Sequence, residues 1–342
     1  MVEIRRWWRI VGVALVLSLV AAACGGDDES PSSDGTDTGS VPAALTGSIN
    51  ISGSSTVEPI TSLVAEKFNA SNPDVEIAVS GPGTSDGFEL FCNGETDVQD
   101  ASRAIEEEEV AACKKGGVEY VELEVALDGL SVVGNPENTI ECLTIGDLYA
   151  LFGPESEGFS SWSEANDLAT EVGGTGGFPD EPLTIVAPGA ESGTFGSFID
   201  LAIKGLAEER GQEETLRTDY QSSADDNVII DNAAGNVSGL GFVGLSYAEG
   251  AGDTVKEFQV DGGEGCIGPS TETVSDGSYP LSRSLYLYVS TSALQTNEAL
   301  GPFVDFYLSD EGMASVEEVQ YVSIPADRIE ATRSTWASEG GM

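Results

Sequence analysis

Three times along the chain, apolar residues alternate with polar ones and then switch to helical spacing, with a small-residue turn between. In INISGSSTV, residues 49–57, Ile49 and Ile51 read as a strand and Gly53, Ser54, Ser55 and Thr56 as the turn. Ile60, Leu63, Val64 and Phe68 then share one helical face. In residues 74–81 Val75, Ile77 and Val79 alternate, GPGTSDGF brings Thr84 and Ser85, and Phe88, Leu90 and Phe91 open a short helix. In residues 183–206 Leu183, Ile185 and Ala187 form the strand and GAESGT the turn, with Glu191, Ser192, Gly193 and Thr194. Phe195, Phe198, Ile199, Ala202 and Leu206 form the helical face. A helix start presents backbone N–H groups that lack intrahelical partners, and hydroxyls beside them complete an anion site. Ser and Thr are also ordinary helix caps, so one such turn carries little. Three, each flanked by Gly, point to a shared anion site.

Between these units, residues 118–136 form a long β-rich run broken at Asp128-Gly129, long enough for two strands and for a passage between lobes. Leu143 to Phe152 has a helical apolar face, Trp162 falls in a loop, and Glu106 to Glu109 read as a solvated helix face. The stretch VGGTGGFPDEP lacks the Lys-Ser/Thr and the strand–helix frame of a phosphate cradle and reads as loop. SADDNVII onward predicts a helix and a buried strand, Arg283 to Ser290 a further strand, and Glu298 to Glu317 a helical pair closing the first lobe.

Arg5, Arg6 and Arg9 precede an apolar run from Ile10 to Ala23 that ends at Cys24, the order of an export signal over residues 1–23. Ala-Ala-Ala-Cys resembles a bacterial lipobox, with Ala21 in place of the usual Leu, which makes Cys24 the lipidation site and the membrane anchor. Residues 24–46 hold almost no large apolar side chain and predict a disordered tether. The remaining ~295 residues suffice for two lobes. Cys92, Cys113, Cys142 and Cys266 make an even set for an exported chain, hence two disulfides. Separation alone favours Cys92–Cys113 and Cys142–Cys266 among three possible connectivities. With no His and no CxxC, no metal site and no cofactor is expected.

The formal charge is −45, and loss of residues 1–23 leaves 11 basic against 58 acidic residues, a net of −47. Such a chain does not bind nucleic acid, which requires clustered Lys and Arg. Uniform acidity fits solubility or a salty habitat. An anion site here must work through local donors, screened over a Debye length of about 8 to 10 Å.

In order along the chain stand ISGSSTVEPI, GTSDGFELFCNGETDVQDASRAI, VEYVELEVALDGLSVVGNPEN, ESGTFGSF, SADDNVII, GLGFVGLSYA and YPLSRSLYLYVS. These seven segments, spanning about Ile49 to Pro325, resemble the PstS-like phosphate-binding lipoproteins of bacterial phosphate ABC importers. The resemblance implies an α/β, two-lobed periplasmic-binding-protein fold (type II) with the ligand cleft between lobes and a hinge of two strands. The lobes would be residues 47–127 with 288–336, and residues 128–287. It implies phosphate held by Ser55, Thr56 and the Val57 N–H, by Thr84 and Ser85, by Arg103, and by Ser192, Gly193 and Thr194. Glu191 stands where the family often has Asp. The Arg that many members carry before this turn is absent, which leaves Arg103 as the only expected guanidinium. Its plain alternative is pairing with Asp97, Asp100 or Glu106.

A carboxylate in the site, Glu191 or Asp86, can accept a hydrogen bond from protonated phosphate, whereas sulfate would face it with acceptors only. Asp86 can equally be a helix cap. The implied partners are inorganic phosphate, the permease and ATPase of an ABC importer, and the cell membrane through Cys24; the protein is expected to be a monomer. Another oxyanion, sulfate, molybdate or arsenate, is the near alternative. A secreted serine hydrolase is the distant one, and AESGT is not G-x-S-x-G and no His exists to act as base.

Overall fold

The structure, a computed structural model, describes residues 44–340 apart from Glu191. The export-signal segment, Cys24 and all but the last residues of the tether therefore lie outside the described residues.

The chain opens with two of the predicted units: β1 (Gly47–Gly53), α1 (Glu58–Ser71), β2 (Val75–Ser80) and α2 (Thr84–Cys92). β3 (Val98–Ala101) follows, then α3 (Glu107–Gly116) and the 15-residue β4 (Tyr120–Gly134). β1 lies between β2 and β3, parallel to both, and buries Ile49 and Ile51 under Ile60, Val64 and Phe68 of α1. Phe68 meets Phe303 edge to face at 5.5 Å, which seats the helix Leu300–Tyr307 on the same core. The expected helical pair over 298–317 is three short helices, Leu300–Tyr307, Asp310–Met313 and Ser315–Glu318.

The middle of the chain adds β5 (Cys142–Thr144), α4 (Ile145–Phe152), α5 (Asn166–Glu171) and β6 (Thr184–Ala187). The third predicted unit then continues as α6 (Gly193–Phe198), a widened π-type turn (Ile199–Ile203) and α7 (Lys204–Arg210). β7 (Gln221–Ser222), α8 (Asp226–Gly235) and β8 (Gly239–Gly244) complete a second group of strands. There β6 runs parallel to β7 and β8. Phe198 of α6 stacks on Phe242 of β8 at 4.0 Å. Past α9 (Leu245–Ala251), β9 (Lys256–Glu257) pairs with β4, and β10 (Gln259–Asp261) and β11 (Cys266–Ile267) form a small sheet with β5. β12 (Ser282–Ser290) closes the strand series.

The strand order is β2-β1-β3-β12-β4-β8-β6-β7. β4 joins the two groups: its first part pairs with β12 and its last five residues with β8. The Asp128-Gly129 break expected from sequence is not a break. The ladder runs through this position, from Tyr120↔Ser290 to Gly129↔Ser282, and its one register shift is a bulge beside Leu285. Asp128 lies in the strand directly opposite Arg283, and Gly129 packs so closely that a Cβ there would meet Val274 at 2.8 Å.

Two disulfides form, Cys92–Cys113 between α2 and α3 and Cys142–Cys266 between β5 and β11, the pairing favoured by separation. The glutamate run is more than a solvated face. Glu106 is the N-cap of α3, and Glu109 returns to the Glu106 N–H in a capping box and turns inward, 15% exposed.

Candidate functional site

Because β1, β2 and β3 are parallel, the chain leaves all three at one edge of the sheet. Their order, β2-β1-β3, reverses beside β1, the position at which open α/β sheets take ligands. The turns are stitched together there. The Ser54 N–H donates to Asp100 O at 2.8 Å, and the Gly83 N–H to Gly53 O at 2.8 Å. Gly53 has φ +146°, and a Cβ on it would fall 2.0 Å from Asp100 O, so only glycine lets the strands approach this closely.

Over this edge lies a cavity of about 570 Å³. Ser54, Ser55, Thr56, Thr84, Ser85, Ser102 and Arg103 line one side, Gly196, Asp200 and Lys204 the other, and Arg283 joins them from β12. Ser55, Thr56, Thr84, Ser85 and Arg103 are thus brought together. The Thr84 hydroxyl accepts the Ser102 N–H at 3.2 Å, and the Ser85 hydroxyl accepts from Arg103 Nη2 at 3.1 Å. Val57 is fully buried, and its N–H donates to Ser54 O at 3.1 Å, so that donor already serves the turn.

Ser192, Gly193 and Thr194 do not line this cavity. Ser192 caps α6, its hydroxyl accepting the Thr194 N–H at 3.1 Å. Gly193 and Thr194 line a neighbouring cavity of about 160 Å³ with Asp128, Asp226 and Tyr321. The start of α6 nevertheless abuts the first turn: a Cβ on Gly193 would stand 3.5 Å from Ser55 O. Glu191 lies outside the described residues. Asp86 is exposed and lines the larger cavity.

Arg103 has company that its sequence context understated. Glu109 holds it bidentately, with both N···O distances at 2.8 Å, and Glu106 lies 3.1 Å from Nε. Asp97 instead accepts the Asn50 N–H at 2.9 Å. Asp100 is fully buried, its Oδ1 accepting from the Thr61 hydroxyl at 3.1 Å, while its Oδ2 has no partner among the described residues. Burial pushes the Asp100 carboxyl up to about 8, against a smaller lowering by Thr61, and Glu58 adds to the rise. The Tyr307 hydroxyl, 3.2 Å from Thr61 Oγ1, completes that buried group, and burial raises its pKa as well.

The sequence leaves Arg103 as the only expected guanidinium, and a second, Arg283, also lines the cavity. Nε of Arg283 lies 3.3 Å from Asp128, Nη1 donates to Asp200 at 2.8 Å, and Nη2 donates to Ser197 at 2.9 Å and to Thr56 at 3.1 Å. The signal was present: Asp128 stands in an otherwise apolar buried run and needs a cation, and the chain has few. Each of the three cations lining the cavity meets two carboxylates. Arg103 has Glu106 and Glu109, Arg283 has Asp128 and Asp200, and Lys204 has Glu208 at 4.0 Å and Glu214 at 3.5 Å. No group of His, Cys, Asp and Glu suited to a metal occurs among the described residues.

A family model described as the PBP superfamily domain matches residues 35–311. The chain is 38% identical over 288 residues to Protein SphX of Synechocystis sp., covering 84% of this chain and 81% of that one. It is 32% identical over 321 residues to the Phosphate-binding protein PstS of Staphylococcus epidermidis, covering 93% and 89%. The crystal structure of a possible phosphate binding protein from Planctomyces limnophilus superposes with a TM-score of 0.77 at 34% identity, over 86% of this chain and 99% of that one. An ABC-type phosphate transport receptor from Vibrio cholerae shares the fold, with a TM-score of 0.58 at 24% identity over 81% and 100%.

Proposed function

Since this chain belongs to the PstS-like phosphate-binding proteins of the PBP superfamily, we infer that it captures inorganic phosphate between its two lobes outside the cytoplasm and delivers it to an ABC importer. The observation that carries this reading is the convergence of the β1, β2 and β3 turns, with their hydroxyls and Arg103, on one cavity facing α6 and α7. Phosphate bound there exchanges water for fixed donors: the hydroxyls of Ser55, Thr84 and Ser85, and the guanidinium of Arg103. Such charge-assisted bonds are about twice as strong as neutral ones.

The lobes on this reading are residues 47–127 with 288–336, and residues 128–287, hinged through β4 and β12. Ser192, Gly193 and Thr194, which begin α6 beside the first turn, would join Thr56 in the donor set by turning toward this cavity, while the Val57 N–H stays with Ser54 O. Asp86 or Glu191 accepts a hydrogen bond from a protonated phosphate oxygen and so disfavours sulfate. Residues 1–23 are removed on export, Cys24 carries the lipid, and residues 24–46 tether a monomeric body to the membrane beside the permease and ATPase. The protein binds and does not turn over its ligand: Ser192 is committed to a helix cap, and the chain has no His.

Titration calorimetry with phosphate, sulfate, molybdate and arsenate tests the reading. Heat with phosphate in preference to sulfate is expected, and no heat with any oxyanion removes the transport function. Esterase or phosphatase turnover abolished by Ser192→Ala would replace binding by catalysis.

A further inference from the structure

The partners of Arg283 fall into two kinds. Asp128 is 3% exposed, Ser197 and Thr56 are buried, and together they fix Nε and Nη2. Asp200, on the π-type turn, holds the remaining nitrogen Nη1 and is 46% exposed. One carboxylate neutralises a guanidinium, and buried Asp128 supplies it. The second, solvated carboxylate adds charge that Arg283 does not need, and it does so in the wall of the anion cavity, which both residues line.

We propose that Arg283 is a further phosphate ligand and that Asp200 is its resident anion, a carboxylate of the chain itself that occupies Nη1 until phosphate displaces it. This rests on the reading of the cavity as the phosphate site. The exchange leaves no donor unpaired in either state, because Nη1 passes from one oxyanion to another. Little opposes it, since an ion pair with one solvated partner is weak and the released side chain is stabilised by water. The buried contacts to Asp128, Ser197 and Thr56 keep the guanidinium in place meanwhile, so only Asp200 moves. Competition of this kind sets a threshold: a small monoanion gains no more on Nη1 than Asp200 does, whereas a phosphate dianion gains more. It also lowers the apparent affinity by the fraction of molecules in which Asp200 is seated.

The test is phosphate titration of the full chain carrying Asp200→Asn, alone and with Arg283→Gln. Removal of the resident anion should tighten phosphate binding by about threefold to fivefold. The gain should vanish in the Arg283→Gln background, where there is nothing to compete for. An Asp200→Asn protein that binds phosphate no better than wild type overturns the proposal, as does an equal gain in both backgrounds, which would mean general repulsion. A crystal structure of the phosphate-loaded wild type gives a reading independent of affinity. Asp200 off Nη1 and the anion on it supports the exchange; Asp200 still seated, with phosphate away from Arg283, refutes it. Failure of wild type to bind phosphate strikes the functional reading instead, so the two failures are distinguishable.

Discussion

Arg283 and Asp128 face each other directly in the antiparallel register of β12 and β4, and the Arg283 Nε lies 3.3 Å from the buried Asp128 Oδ2. This pair sits where β4 passes from one group of strands to the other, and the Ser197 hydroxyl donates to the same Asp128 oxygen at 2.6 Å. Asp128→Ala leaves the guanidinium with solvated Asp200 as its only carboxylate and removes the 2.6 Å acceptor of the Ser197 hydroxyl. Breaking a buried pair from one side costs about 3–5 kcal/mol. Urea unfolding should show a loss of this size, and Asp128→Asn, which keeps the shape and an acceptor, should recover part of it.

Arg103 is held by Glu109 and Glu106 and touches Ser85 in the cavity wall. If it contributes a charge-assisted bond to phosphate, Arg103→Ala removes about 1.5–3 kcal/mol of binding, roughly a tenfold to hundredfold loss by titration. An unchanged affinity would place the anion elsewhere.

Asp100 gives the fold a pH dependence of definite sign. Its folded carboxyl keeps a proton up to about 8, while the unfolded chain releases it near 3.8. The stability gained by burying the neutral acid is therefore present at acid pH and lost as pH rises from about 4 toward 8. Asp100→Asn, neutral throughout, should remove that slope. The Tm advantage of the variant over wild type should be larger at pH 9 than at pH 5 by calorimetry.

The two disulfides close loops of different length, with sequence separations of 21 and 124. On chain-entropy grounds the longer loop contributes about 1.5 kcal/mol more. Replacing Cys142 and Cys266 by Ala should lower the unfolding midpoint further than replacing Cys92 and Cys113.

What the sequence revealed was what local patterning controls. The period-two and period-3.6 signals around Ile49, Val75 and Ile185 located three strand–turn–helix units, and the family resemblance named the ligand. It misjudged features that depend on distant partners. Asp128-Gly129 reads as a break in a β-rich run, yet Asp128 pairs with Arg283, more than 150 residues on, within one continuing strand. Glu109 looks like one of four solvent-facing glutamates until the chain of β3 brings Arg103 against it. Ser192 to Thr194 share the pattern of the other turns, but Ser192 caps α6 and Gly193 and Thr194 line a neighbouring cavity. Arg283 lies in a stretch that reads as an ordinary strand, and only the β4–β12 register carries it to the cavity wall.

The double pairing of every cation in the cavity wall has a kinetic consequence. A dianion approaching this protein, net charge −45, meets no electropositive funnel at the entrance, because each positive group is already matched twice over. The long-range field slows the encounter instead of steering it. Added salt therefore weakens an obstacle here. Stopped-flow association with phosphate should accelerate as sodium chloride rises from about 10 mM to 150 mM, over which the Debye length contracts from about 30 to 8 Å. Fast uptake then belongs to media of substantial ionic strength, where short-range hydroxyl and guanidinium contacts act with the repulsive envelope screened away.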